Sequence, residues 1–494
     1  MTGRDVDGVV GDGVVGDGVV NDGGELDLVV HGASELVIGP ADGTTEGAHP
    51  GADGPPADPD AVLERVTDGA VAVADGRVVG VGSTDEVVRE YPPENAVRAV
   101  DAAGRAVLPG FVDGHTHAVF AGDRSDEFAA KLRGKEYTEI LAEGGGILRT
   151  VRATRAASDG TLLADLLDRL DAMLAAGATT VEVKSGYGLD PETERRILET
   201  VARADAGHPV RVVPTFMGAH AVPEGVETGE YVDRVIDEQL PAVSEAGDVG
   251  GDGRVDATDI DRVDAEATET TGGLAVFCDV FCEAGVFSVA ESRRVLEAGA
   301  DAGLVPKVHA EEFERTGGAR LAADVDAASA DHLLCATDAD ADALADAGVV
   351  PTLLPGTAFA LGTAYADPRR FLAAGSEVAV ASDFNPNCYA PGMGFAATLA
   401  SVGMGLSPAE SVRACSYAGG LALGAADDRV PDAVVPPGTG TLRVGAPGDL
   451  LVLDAPSHAH VPYRFGESTV RRAFVGGRPA YERTRDVDRE VVDR

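Results

Sequence analysis

The sequence predicts an α/β fold: a TIM (β/α)8 barrel with a small β-sandwich domain built from both chain ends. Three observations carry this. Eight apolar, strand-like runs alternate with Ala/Leu-rich helical stretches over roughly 300 residues, the size and rhythm of such a barrel. Most of those runs end in a polar residue able to do chemistry. Short β patterns with Gly-rich turns fill the two ends of the chain and are absent from its middle.

Residues 1–25 repeat DGVVG, a composition that opposes both helix and strand, and read as a disordered acidic tail. Residues 26–107 hold LDLVVHG, AVAVADGRVVGVG and AVRAVDAAGRAVLPG, interrupted by the loop ADGTTEGAHPGADGPPADPD. The same style returns in 430–480, with GTLRVGAPGDLLVLDAP and VRRAFVGGRPAYE, so the two stretches are assigned to one small β domain. Residues 108–429 form the expected barrel. Its eight strand runs are VLPGFVDGHTH, TTVEVKSGYG, VRVVPTFMGAH, VFCDVFCEAG, VPKVHAEE, DAASADHLL, VVPTLLPGTAF and VAVASDFNPN. Residues 248–273 break the rhythm with eight acids against two arginines and read as an inserted surface loop.

Composition narrows the class. With 494 residues and 44% hydrophobic content the chain can bury a large core and is not wholly disordered. A net charge of −43 repels phosphate backbones and anionic lipid, which excludes nucleic acid and membrane surfaces as partners. The basic residues are almost all arginine; the lysines are Lys131, Lys135, Lys184 and Lys307. Excess Asp with scarce Lys reads as adaptation to a salt-rich cytoplasm, where screening removes self-repulsion. The five cysteines contain no CxxC pair, so neither a disulfide framework nor a thiolate zinc site is indicated. The start lacks a charged-then-apolar signal pattern and no uninterrupted 18-residue apolar run occurs, which reads as a soluble, cytoplasmic protein.

The chemistry sits at strand ends. His115 and His117 close the first run two residues apart, so alternation aims both into the barrel, where two imidazoles can grip one divalent metal. His309 closes the fifth run and Asp383 the eighth. Together they make a set of three His and one Asp that leaves a position open for water. Glu312 follows His309 by three and can handle protons beside the metal; His332 ends the sixth run and can polarise a carbonyl or move a proton. Asp383 can take a proton from the attacking water and pass it to a leaving nitrogen.

VLPGFVDGHTH, KVHAEE, SADHL and ASDFNP resemble the amidohydrolase superfamily in sequence and spacing. More narrowly, the long segment HTHAVFAGDRSDEFAAKLRGKEYTEILAEGGGILRTVRATRAAS is similar to the imidazolonepropionase family, as are VEVKSGYGL, PTFMGAH and DVFCEAGVFS. The resemblance covers most of 26–475. It implies hydrolysis of the ring of 4-imidazolone-5-propanoate to N-formimidoyl-L-glutamate in histidine breakdown, one zinc or iron ion on His115, His117, His309 and Asp383, and a possible homodimer. It places catalysis on Glu312, His332 and Asp383. It places substrate contacts on Arg124, Tyr187, His220, Glu312, Asn385, Asn387 and Cys388. Two positions depart from it: family members commonly carry Gly and then Ser or Thr where this chain has Asn387 and Cys388, so a positive-φ option and a hydroxyl are lost. Arg124 suits a substrate carboxylate because guanidinium pairs it bidentately; the alternative is an ion pair at a helix start.

Other motifs carry less. His458 and His460 form a second HxH without partners and read as structural. Asp248, Asp252, Asp256 and Asp259 are spaced like a calcium loop, but Gly250 stands at the third position and no closing Glu follows. Cys278 and Cys282 read as small core hydrophobes. Two rivals remain: another amidohydrolase, such as a nucleobase aminohydrolase, and a non-catalytic acidic binding protein.

Overall fold

The computed structural model describes residues 26–41, 61–135, 139–140, 143–244 and 273–483. The acidic tail, most of the 41–60 loop and the insert with its calcium-like spacing lie outside the described residues. The chain opens with β1 (Leu26–Pro40), β2 (Leu63–Ala74), β3 (Arg77–Ser83), β4 (Ala96–Asp101) and β5 (Ala106–Pro109). β1 pairs antiparallel with β2 along its length, from Leu26↔Ala74 to Pro40↔Leu63. Its other edge is shared, parallel to β4 first and then to β5. The β2–β3 turn is Asp75-Gly76, both at positive φ (48° and 72°), the two-residue geometry that Asp-Gly favours.

The eight predicted runs become eight parallel strands, β6 (Phe111–Asp113), β7 (Ala178–Lys184), β8 (Arg211–Ala219), β9 (Phe277–Cys282), β10 (Val305–Ala310), β11 (Ser329–His332), β12 (Val350–Leu353) and β13 (Ala379–Val380). They neighbour one another in chain order. A parallel bridge, Thr116↔Phe384, brings the last strand back to the first. There His117 N donates to Phe384 O at 2.9 Å and Asp383 N to His115 O at 3.1 Å, so the barrel is nearly closed. β7 and β10 are buried at every position, as strands covered on both faces must be. The helices form the outer layer. The one over Asp159–Ala175 starts where Ser158 accepts from Thr161 N and buries Leu162, Leu166, Leu170 and Met173 along one stripe. Each such leucine is worth about 1.5–3 kcal/mol of burial.

β14 (Leu450–Leu453), β15 (Val470–Val475) and β16 (Arg478–Glu482) return the chain to the first sheet. β14 pairs antiparallel with β5, and the order is β16-β15-β14-β5-β1-β2-β3 with β4 on β1. The expected small β unit from both chain ends therefore takes the form of one continuous mixed sheet. Among the described residues no helix is long and apolar enough to cross a membrane.

Gly110 joins the two sheets, between β5 and β6, and its N–H donates to Asp449 O at 2.9 Å. A Cβ there would overlap the Thr179 side chain. Gly110→Ala is expected to cost about 1–3 kcal/mol in urea unfolding at constant salt. Gly207→Ala, where nothing lies within 4 Å, should leave the midpoint unchanged or slightly raised.

Candidate metal centre and active site

All the sequence-predicted site residues lie at or beyond the C-terminal ends of barrel strands. His115 and His117 follow β6 in an extended segment, His309 is on β10, His332 ends β11, and Asp383 follows β13. The ligand atoms of His115, His117 and Asp383 lie within 4.8 Å of one another, as do those of His115, His309 and His332. His309 Nε2 is 3.3 Å from His117 Nε2, and Asp383 Oδ1 is 3.5 Å from His115 Nε2 and 3.7 Å from His117 Nε2. All four residues are buried.

Beneath this cluster lies a set of buried charges that the sequence reading did not assign. Asp331 Oδ2 accepts from His115 Nδ1 at 2.6 Å, and Asp279 Oδ2 is 3.1 Å from His309 Nδ1. Lys184 Nζ sits between the two acids, 2.7 Å from Asp279 and 3.6 Å from Asp331, and also donates to Glu182 at 2.9 Å. Lys307 Nζ donates to the other oxygen of Glu182 at 3.0 Å and to Gly114 O at 3.1 Å. All five charged side chains are fully buried. Burial works against the Lys184 ammonium, yet Asp279, Glu182 and Asp331 outweigh it and hold Lys184 well above the usual lysine value. Burial likewise opposes the Asp279 carboxylate, and His309 and Lys184 outweigh it, holding Asp279 well below the usual value. The available signal was a charged residue on an otherwise apolar strand, in VEVK, FCDV, VPKV and SADH.

The donor set fits a divalent metal ion. Burial holds His115 and His117 well below the usual histidine value, so both rings are neutral. His115 Nε2 is a buried nitrogen with no hydrogen-bond partner. A tetrahedral ion with nitrogen ligands at about 2.0–2.1 Å separates its ligand atoms by roughly 3.3 Å. The observed spacing of 3.3–3.7 Å matches that pattern. The three carboxylates below outnumber the two ammoniums, which leaves the floor favourable to a cation.

The mouth is built from the loops. Glu312 Oε2 lies 3.7 Å from His332 Nε2, and burial, then the charges of Asp383 and Glu283, push the Glu312 carboxyl well above its usual value. Burial also raises Asp383 to about 6, against a hydrogen bond from Thr357 Oγ1 to its Oδ2. Tyr187 is buried, with its hydroxyl raised by burial and by Asp383. His220 Nδ1 donates to Gly186 O at 3.1 Å, which leaves Nε2 as the lone-pair nitrogen, and its ring stacks on His117 with centroids 4.7 Å apart. Burial, then His309, draws His220 down to about 3. Glu194 fixes the Tyr187 loop by accepting from the N–H groups of Gly186, Gly188 and Leu189. Arg169 donates to Ala118 O and Phe120 O and lies 3.6 Å above the Phe120 ring, pinning the segment that follows His117.

Arg124 occupies the N-cap of the helix Ser125–Leu132 and pairs with Glu127 Oε2 at 2.8 Å through both Nε and Nη2. Asn385 Oδ1 accepts from Asn387 N at 2.8 Å and Cys388 N at 3.0 Å, and its Nδ2 donates to Asp383 O at 2.7 Å. Asn387 Oδ1 accepts from Lys131 Nζ at 2.8 Å. His458 stands apart from this mouth: its Nδ1 is 2.7 Å from Glu35 Oε1 in the mixed sheet, the structural role expected for it. Cys278 and Cys282 are buried in β9.

A family model described as an imidazolonepropionase-like composite domain of bacteria matches residues 69–93. The imidazolonepropionase of Haloarcula marismortui is 58% identical over 467 residues, covering 94% of this chain and 99% of its own. That of Halobacterium salinarum (strain ATCC 29341 / DSM 671 / R1) is 55% identical over 457 residues, covering 92% and 97%. That of Symbiobacterium thermophilum is 44% identical over 463 residues, again covering 92% and 97%. Among solved structures, a zinc-bound adenosine deaminase from Xanthomonas campestris aligns with a TM-score of 0.60 at 17% identity, over 92% of both chains. The guanine deaminase of E. coli gives 0.60 at 14% identity, over 93% of this chain and 99% of that one. At such identities these structures speak for the fold alone.

Lys184→Met would leave three buried carboxylates facing one ammonium. It is expected to cost about 3–5 kcal/mol in denaturant unfolding. Asp331→Asn removes the charged partner of His115 and should weaken zinc binding by about 10–100-fold in chelator competition, with the fold retained by circular dichroism.

Proposed function

The chain belongs to the imidazolonepropionase family, and from that membership we propose that it hydrolyses 4-imidazolone-5-propanoate to N-formimidoyl-L-glutamate in histidine degradation. One observation supports the chemistry above the rest. The ligand atoms of His115, His117 and Asp383 lie within 4.8 Å of one another, and His309 Nε2 lies 3.3 Å from His117 Nε2, so three strand ends supply the candidate donors. We assign one zinc or iron ion to those four residues. When bound, such an ion lowers the pKa of water toward neutrality and polarises a carbonyl.

The side chains then divide the work. The substrate ring enters between His220, Tyr187 and His332, with its carbonyl toward His332 and Glu312. Glu312, kept protonated by burial, donates a hydrogen bond to the carbonyl oxygen as negative charge develops there. The His332 ring, 3.7 Å from Glu312, is a second polar group on the same oxygen. Asp383 takes the proton from the attacking water on Oδ2, the oxygen that also accepts from Thr357 Oγ1, while Oδ1 faces His115 and His117. It then delivers the proton to the ring nitrogen as the C–N bond breaks, so water is added across that bond and no other reagent is consumed. Arg124, Asn385 and the Asn387–Cys388 wall line the side where the propanoate chain lies. The reading further places the enzyme in the cytoplasm as a homodimer, in keeping with the sequence composition and the resemblance.

Purified protein assayed in concentrated salt is expected to open the imidazolone ring, followed as loss of its ultraviolet absorbance, and to carry about one zinc or iron per chain by elemental analysis. Chelation should abolish turnover and metal should restore it. Ammonia release from guanine or cytosine with no ring opening of the imidazolone would move the assignment to an aminohydrolase. Asp383→Ala is expected to lower kcat by about 10³-fold or more.

A further inference from the structure

The floor beneath the histidines has the layout of a cation seat. Glu182 Oε1 on β7, Asp279 Oδ2 on β9 and Asp331 Oδ2 on β11 surround one point, at 2.9, 2.7 and 3.6 Å from Lys184 Nζ. Their other oxygens are occupied. Lys307 Nζ holds Glu182 Oε2 at 3.0 Å, Val280 N donates to Asp279 Oδ1 at 2.7 Å, and Ser329 Oγ donates to Asp331 Oδ1 at 2.6 Å. Each acid therefore turns one oxygen toward the same point. His309 Nδ1, buried, faces Asp279 Oδ2 at 3.1 Å and has no other partner. The ligand atoms of Asp279, His309 and Asp331 lie within 4.8 Å of one another, the same span as the donor groups above them.

Two features separate this place from a surface acid cluster. All three carboxylates are fully buried, so their charge must be met inside the barrel. A cation also stands there already, tethered to the chain. Its distances of 2.9 and 2.7 Å to Glu182 and Asp279 are close to the roughly 2.3–2.6 Å of a calcium–oxygen bond. Oxygen donors converging from separate strands are what a hard divalent ion takes. Lysine usage agrees. In a chain that draws its positive charge almost wholly from arginine, two of the four lysines, Lys184 and Lys307, stand in this floor. A compact ammonium replaces a point charge, and a planar guanidinium does not.

Resting on the one-ion assignment above, we propose that Lys184 Nζ occupies a second cation seat of the barrel, one suited to a hard divalent ion with oxygen ligands, and that this tethered charge limits the centre to a single exchangeable metal. Lys184 is a positioning residue. It acts through Asp279 on His309 and through Asp331 on His115.

The experiment uses the zinc-loaded full chain, refolded in concentrated salt with calcium or with a calcium chelator. Calcium is the probe because it takes oxygen ligands and leaves the imidazoles to zinc. Lys184→Ala removes the ammonium and leaves its space. It is expected to hold about one calcium per chain more than wild type in equilibrium dialysis, with zinc unchanged at about one. Calcium should raise its urea midpoint toward the wild-type value and move the wild-type midpoint little. Lys184→Met removes the charge but fills the space, so it should take no extra calcium and stay destabilised in either medium. Folded Lys184→Ala without the extra calcium overturns the seat. So does Lys184→Ala that refolds no better in calcium than in chelator, or Lys184→Met that gains the same calcium. Wild type that fails to bind zinc removes the metal assignment and the limit on metal number together; wild type with its zinc, and no calcium gained in Lys184→Ala, removes the seat alone.

Discussion

The ammonium of Lys184, buried between Asp279 and Asp331, is the contact on which the rest of the centre depends. Each of those acids also faces a histidine, His309 and His115 respectively. A carboxylate at Nδ1 fixes the tautomer, so the Nε2 lone pairs of both rings turn inward to the same point. Without the lysine, two carboxylates would share a dry space and repel. Without the acids, the rings would be free to turn. Buried ion sets of this kind add little net stability, because desolvation offsets attraction. Their use here is geometric: they tie β7, β9 and β11 to one another at the depth where the donors must converge.

Above that floor the backbone is held in unfavourable conformations. Glu311, His332, Leu333 and Asp383 all have positive φ, between 48° and 74°. For residues with side chains this costs on the order of 1–3 kcal/mol each and persists only where surrounding contacts enforce it. The enforcing contacts are visible. Glu311 accepts from the N–H groups of Thr316, Gly317 and Ala319, which fixes the chain beside Glu312. Glu283 does the same for Phe313 and Glu314 on its other side. Asp113, raised to about 7 by burial, accepts from both N and Oγ of Ser382 and so sets the angle at which Asp383 leaves β13. Buried acids outside the proposed catalytic set thus aim Glu312 and Asp383, to which that set assigns the proton chemistry.

What could be read from the chain follows from locality. His115, His117, His309, His332 and Asp383 were legible because each ends an apolar run, and strand ends in a barrel share one face. The floor was not, although Glu182, Lys184, Asp279 and Lys307 are plain on the page as charges in apolar strands. Which charge meets which depends on barrel register, joining residues 95 positions apart in Lys184–Asp279 and 216 apart in His115–Asp331. The single mixed sheet was hidden for the same reason: β14 pairs with β5, a contact between distant ends that periodicity does not encode. Arg124 shows the reverse case. Glu127 stands three residues away, so its partner was available locally, and the helix-start ion pair weighed against the ligand role is present in the structure.

Net charge and substrate charge set a further constraint. A chain at −43 opposes an anionic substrate at long range. At 1 M salt the Debye length is about 3 Å, so the exterior field fades within one layer of water and neither repels nor steers. Recognition must then come from groups in direct contact, where burial keeps the salt away. Several surface arginines are already committed to pairs, as in Arg315–Asp340, Arg369–Glu410 and Arg429–Asp427. The composition that suits the surface to salt therefore pushes binding charge inward, toward the mouth between the helix Ser125–Leu132 and the Asn385–Cys388 loop.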